Sequence, residues 1–314
     1  MSLNFKHLAL SFWKGVRENW LICLVGVVGV AMLAYPTAGC WFAERAQGEV
    51  ISSYIEEMET HPTSELQAII EAAHRYNEKL PYDVPIAEAA VGKQLKTKAA
   101  YADYLDQMKI GPAEAIGRVR IKSIEADLPM FHGTSEKAIS SGAGHMYGSS
   151  LPVGGEGTHA VLTAHSGLVN AELFTKLEKV RIGDVVTILV GTEELYYEVD
   201  DIATVLPTQT EALKIEPGKD LLTLMTCTPI GVNSHRLLVT GHRKWPVTAE
   251  LAGSYGMPKA PDGGFPWWIP AFMFGALALG VFVVAVTNPR KQRAKTVGKH
   301  MTLGSMSEEE LQSA

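Results

Sequence analysis

The sequence predicts a mainly β protein: a closed or partly closed β-barrel with short helices, preceded by an N-terminal helical region and flanked by two transmembrane helices. Two observations carry that expectation. From residue 117 onward the chain breaks into short strand-like runs separated by turn residues, the texture of a barrel. Residues 20–34 and 265–286 contain no charge, and the second stretch would span about 33 Å as a helix, enough to cross a bilayer.

Charge orients these two segments. Lys6, Lys14 and Arg17 precede the first, which residues 36–43 extend without a charge; Arg290, Lys291, Arg293, Lys295 and Lys299 follow the second. Positive flanks favour the cytoplasm, so residues 1–19 and 288–314 are expected there, with crossings at 20–43 and 265–287 and residues 44–264 outside. Trp267 and Trp268 fit an interfacial aromatic anchor. Two alternatives stay open for the first segment: a cleaved signal peptide, or a lipoprotein leader ending at Thr37-Ala38-Gly39-Cys40, whose threonine fits the lipid-attachment pattern poorly. The net charge of −6 and the lack of a basic stripe argue against a nucleic-acid partner.

Residues 44–112 read as a helical region. Val50, Ile51, Tyr54, Ile55 and Met58 recur at helical spacing, His61-Pro62 interrupts, and Thr63-Ser64 before Glu65 restarts a helix carrying Leu66, Ile69, Ile70 and Ala73. The region ends in an irregular stretch with a short helical run near 98–108. The barrel is expected over 113–246. Arg118-Val119-Arg120-Ile121 alternates, and 160–164, 184–190, 194–201, 221–226 and 237–240 follow as strands, with turns at Gly183-Asp184 and Gly191-Thr192. Residues 170–179 read as a short helix with Leu173, Phe174 and Leu177 inward, and 247–264 as a polar, Pro/Gly-rich linker.

The candidate chemistry centres on residues 221–243. A strand-like run delivers Cys227, turn residues Pro229, Gly231 and Asn233-Ser234 follow, and Arg236 opens the next run. Folded as a hairpin, the two runs place thiol and guanidinium at one mouth, where the cation favours a reactive thiolate or serves an oxyanion. A nucleophilic cysteine needs a proton-transfer partner, and the run 160–164 carries His165 to its end, before Ser166-Gly167. Cys23 lies in the first apolar segment and Cys40 at its edge, so Cys227 is expected to be alone in the external domain.

Other residues compete for the same roles. His159 lies six residues before His165 in the same run and is expected to face the same side by period two, but about 20 Å along a strand is too far for both to touch one thiol. His235 is expected to point away from the face of Arg236, His74 to be a solvated or partly buried helix residue, and His132, His145 and His242 to be surface or core-edge residues. Their spacing does not suggest zinc. Arg243, the main rival of Arg236, falls at the far end of its strand.

Together these blocks resemble one family. Thr223-Leu224-Met225-Thr226-Cys227, then Thr228-Pro229 and Ser234-His235-Arg236-Leu237-Leu238-Val239, join the His165 block, residues 128–136 (Leu-Pro-Met-Phe-His-Gly-Thr-Ser-Glu) and Ser150-Leu151-Pro152-Val153-Gly154-Gly155. In that order they are similar to the class C, pilus-polymerising sortases of Gram-positive bacteria, across residues 117–243. The resemblance implies a sortase-type β-barrel and a membrane-anchored cysteine transpeptidase. Cys227 is then the nucleophile that cleaves a Leu-Pro-x-Thr-Gly-like sorting signal after threonine, His165 moves the protons, and Arg236 steadies the oxyanion or the substrate backbone. The acyl group passes to a pilin lysine. Substrate contacts are expected at Thr226, Ser166 and Gly167, partners are surface proteins with sorting signals and the bilayer itself, and no metal or cofactor is expected. Class C sortases hold a lid through Asp-Pro-aromatic text; the nearest here, Asp83-Val84-Pro85-Ile86, departs from it, so a lid at Asp83 and Pro85 and a plain linker both stay open. A wall-anchoring sortase, a hydrolase and a non-catalytic, membrane-tethered binding domain are the alternatives.

Overall fold

The computed structural model describes residues 12–80 and 97–287; the expected lid residues Asp83 and Pro85, Lys6 and the basic run after residue 289 lie outside them. Helices α1 (Trp20–Thr60), α2 (Thr63–Asn77), α3 (Lys98–Asp106), α4 (Glu136–Ser141), α5 (Ala249–Tyr255) and α6 (Trp268–Thr287) accompany eight strands. The strands are β1 (Gly117–Ile121), β2 (Ala126–His132), β3 (Ala143–His145), β4 (Thr158–Thr163), β5 (Val185–Val190), β6 (Glu193–Val205), β7 (Asp220–Thr228) and β8 (His235–Arg243). The chain divides into two compact units, Met1–Ala38 with Pro266–Ala314, and Gly39–Phe265.

In the first unit, α6 and the opening turns of α1 are apolar on every side: Met32, Leu33, Phe274 and Phe282 are all exposed. Both helices are long and apolar enough to cross a membrane. Small residues let them approach, since a Cβ on Gly26 would overlap Leu279, and Asn19 Nδ2 donates to Thr287 Oγ1 at 3.0 Å. Helix α1 is 41 residues long and runs through the expected boundary at residue 43.

In the second unit the strands close a barrel in the order β1-β2-β3-β4-β7-β8-β6-β5, with β1 pairing β5. Pairs β2–β3 and β4–β7 are parallel and the others antiparallel. The closed form of the expected barrel is therefore the one adopted. Strands β2 and β3 were not expected; β2 carries most of the sequence block that leads to Glu136. Tyr54 of α1 is buried against the barrel, donating to the Ile116 carbonyl at 3.4 Å and accepting from the Gly191 N–H at 2.9 Å. Asn77, the last residue of α2, exchanges two bonds with the Leu151 backbone, at 3.0 and 2.8 Å.

Three expectations need correction. Residues 170–179 are turns with a single 3₁₀ turn at Leu177–Lys179, because Leu173 takes a positive φ of 44° that no α-helix tolerates; Leu173, Phe174 and Leu177 are nonetheless buried as expected. His145 is not at the core edge but wholly buried, held by Tyr104 Oη at 2.9 Å on Nδ1 and by the Ser150 carbonyl at 2.8 Å on Nε2. Burial keeps it neutral, pushing its pKa down to about 4. The expected linker at 247–264 is a docked strap. The alternation of β1 sends Arg118 and Arg120 to the face opposite Val119 and Ile121. Arg118 donates to the Pro258 and Lys259 carbonyls at 2.8 and 3.2 Å, Arg120 to that of Gly256 at 3.0 Å, and Lys122 to that of Ser254 at 2.8 Å. A local pattern shows that these cations face outward; it does not show that another part of the chain returns to cover them.

Candidate functional site

Strands β7 and β8 form the expected hairpin, and its register sets Cys227 directly opposite Arg236. The turn uses Gly231 and Asn233 at φ of 81° and 58°, a conformation that favours these two residue types. The Arg236 guanidinium donates to the carbonyls of Asn233 and His235, each at 3.3 Å, which anchors it at the mouth of the hairpin.

His165 reaches the same place from the other side. Strand β4 pairs with β7 in parallel at a constant offset, from Thr158↔Asp220 to Thr163↔Met225. Carrying that offset two residues past the end of β4 brings His165 level with Cys227. Hydrogen bonds extend the pairing past the strand. The Ala164 N–H donates to the Met225 carbonyl at 3.3 Å, Thr226 Oγ1 to the Ala164 carbonyl at 2.8 Å, and Ser166 Oγ to the Cys227 carbonyl at 2.6 Å. Cys227, partly exposed, thus sits on the middle of three neighbouring segments, with the histidine segment on one side and the arginine strand on the other.

The residues expected to contact substrate hold this frame. Thr226 is 3% exposed and its hydroxyl is committed to Ala164, so that group faces the core. Ser166 is bonded to the Cys227 carbonyl. Gly167 takes φ 75°, and a Cβ there would overlap Ile230 of the β7–β8 turn. Arg243 lies at the far end of β8, stacked on Tyr197 and Trp245, and so takes no part in the site. His159 is buried between the Lys214 carbonyl and Thr223 Oγ1, and β4 ends before His165, so strand alternation does not relate the two histidines. His242 pairs with Asp200 on the surface. Among the described residues no group of three or more His, Cys, Asp or Glu side chains is placed to hold a metal.

One contact was not anticipated. Glu136 Oε1 lies 3.0 Å from His165 Nε2. Ser135 before Glu136 is a readable helix start, yet nothing in the local pattern names the histidine as the partner.

A family profile described as the sortase domain matches residues 119–244. Sortase C-1 of Actinomyces oris is 43% identical with a TM-score of 0.54, over 58% of this chain and 98% of that one. Sortase C of Streptococcus pneumoniae is 40% identical with a TM-score of 0.56, over 64% of this chain and 98% of that one. Sortase A of Bacillus anthracis is 31% identical over 128 residues; the match takes in 41% of this chain and spans 59% of that curated relative's length. Fold and site define a closed β-barrel with a cysteine, a histidine and an arginine gathered at one end. The chain belongs to the sortase family, and its solved neighbours include class C sortases.

Proposed function

We propose that the chain is a membrane-anchored cysteine transpeptidase that joins sorting-signal proteins through a thioester. The observation that supports this most is the level placement of Cys227 between His165 and Arg236. The Cys227 thiolate attacks the carbonyl carbon of the threonine in a sorting signal. Arg236 donates to the resulting oxyanion, and His165 protonates the departing amine, leaving an acyl thioester on Sγ. An incoming lysine amine then gives its proton to His165 and displaces the thiol, forming an isopeptide bond. A small apolar depression lined by Leu206, Pro207, Met225 and Leu238 borders Arg236. The class C neighbours favour pilins as partners.

The two apolar helices and the basic residues beyond them support a two-pass topology with both termini cytoplasmic and the barrel outside. Tethered there, the barrel meets membrane-retained substrates at high effective concentration. The test is to incubate the full-length protein in detergent with a pilin carrying a Leu-Pro-x-Thr-Gly-like signal and to follow products by mass. Lysine-linked ladders that vanish with Cys227→Ala are expected. Release of cleaved, unjoined pilin under every acceptor condition would instead make the protein a hydrolase.

A further inference from the structure

We infer that Glu136 is a positioning residue for His165, acting through the imidazole ring. Its consequence for turnover rests on the transpeptidase reading; the contact itself does not.

Helix α4 starts behind Ser135, whose Oγ accepts from the Ala138 N–H at 3.3 Å. Helix α4 holds one histidine twice, once through a side chain and once through its backbone. Glu136 Oε1 meets the ring at Nε2, 3.0 Å away, and the Ile139 carbonyl accepts the His165 backbone N–H at 3.3 Å. The Phe174 N–H donates to the His165 carbonyl at 3.0 Å, so both backbone polar groups of His165 are bonded and the carboxylate sets the ring.

A carboxylate can only accept, so Nε2 carries a proton and Nδ1 is the nitrogen left to exchange one. The same carboxylate stabilises the imidazolium that forms when the ring takes up the thiol proton, as the acidic member of a hydrolytic triad does. Solvent limits the size of the effect. The side chains of His165 and Glu136 are 26% and 79% exposed, so the pair is screened on the carboxylate side. Loss of the charge is therefore expected to change rates by about three- to tenfold, far less than the roughly millionfold loss on removing a nucleophile.

The test compares full-length wild type with Glu136→Gln, Glu136→Asp, His165→Ala and the His165→Ala/Glu136→Gln double variant. Two readouts are followed: iodoacetamide labelling of Cys227 near neutral pH, counted by peptide mass, and steady-state joining of a sorting-signal peptide to an amine. Glu136→Gln should slow both labelling and kcat by about three- to tenfold with both KM values unchanged, and Glu136→Asp should recover part of the loss. In the His165→Ala background, Glu136→Gln should have no further effect on labelling. Unchanged labelling and kcat in Glu136→Gln, or an equal loss with and without His165, overturns the proposal. A raised amine KM at constant kcat overturns it as well, assigning Glu136 to acceptor binding. Failure of the wild type to join peptides would sink the transpeptidase reading, while the labelling comparison would still decide the role of Glu136.

Discussion

The Ser166 hydroxyl donates to the carbonyl of Cys227 at 2.6 Å, tying the segment that carries the histidine to the strand that carries the thiol. Because β4 has already ended at Thr163, side-chain bonds do here what a strand ladder does elsewhere. Ser166→Ala should cost about 0.5–1.5 kcal/mol of stability and lower the rate of thioester formation by roughly tenfold through misalignment. Ser166→Thr should restore part of both. Denaturant melts and single-turnover mass spectrometry measure the two effects, and an unchanged rate in Ser166→Ala would show that the link does not align the site.

The cross-strand placement of Arg236 against Cys227 calls for a planar cation. Arg236→Lys keeps the charge but loses the fork that can bind a backbone carbonyl and the Asn233 turn together. Activity should fall by more than about tenfold, with stability within about 0.5 kcal/mol of wild type, as for a surface change. Wild-type turnover in the lysine variant would mean that charge alone suffices.

Arg118 is fully buried, holds Asp127 through two bonds of 2.6 Å, and caps two carbonyls of the strap. Arg118→Ala leaves the partly buried Asp127 without its partner and should destabilise the barrel unit by about 1–3 kcal/mol. Limited proteolysis should then cut within residues 249–260 well before the barrel itself. Rapid cutting there in the wild-type protein would contradict a docked strap.

Burial holds His145 neutral, with its pKa moved from 6.5 down to about 4. An unfolded chain takes up this proton near 6.5 and the folded one does not until about pH 4, so folding loses stability as pH falls across that window. The contribution is fully present above 6.5 and shrinks by roughly 3 kcal/mol by pH 4. His132 is shifted the same way by burial, its pKa also lowered to about 4, and adds to the slope. Denaturation midpoints between pH 7 and 4 should fall more steeply for the wild type than for His145→Gln. Equal slopes would remove His145 from the account.

Much of the candidate site was legible because its signals are local. Cys227 and Arg236 flank one turn, and hairpin register follows from that turn and the alternation of its strands. His165 stood out by type and by its place at the end of an apolar run. The two apolar segments announced themselves by length and lack of charge.

What only the tertiary structure decided is which distant pieces meet. Residues 164–219, with β5 and β6 among them, separate β4 from β7, yet barrel closure makes those strands neighbours and brings His165 level with Cys227. The same closure turns Arg118 toward the strap, buries His145 under Tyr104 and sets Glu136 against His165. Periodicity reports which face of an element is apolar, and turn residues report where the chain reverses. Neither states which surface the far end of the chain will cover, because that is settled by packing the whole core at once.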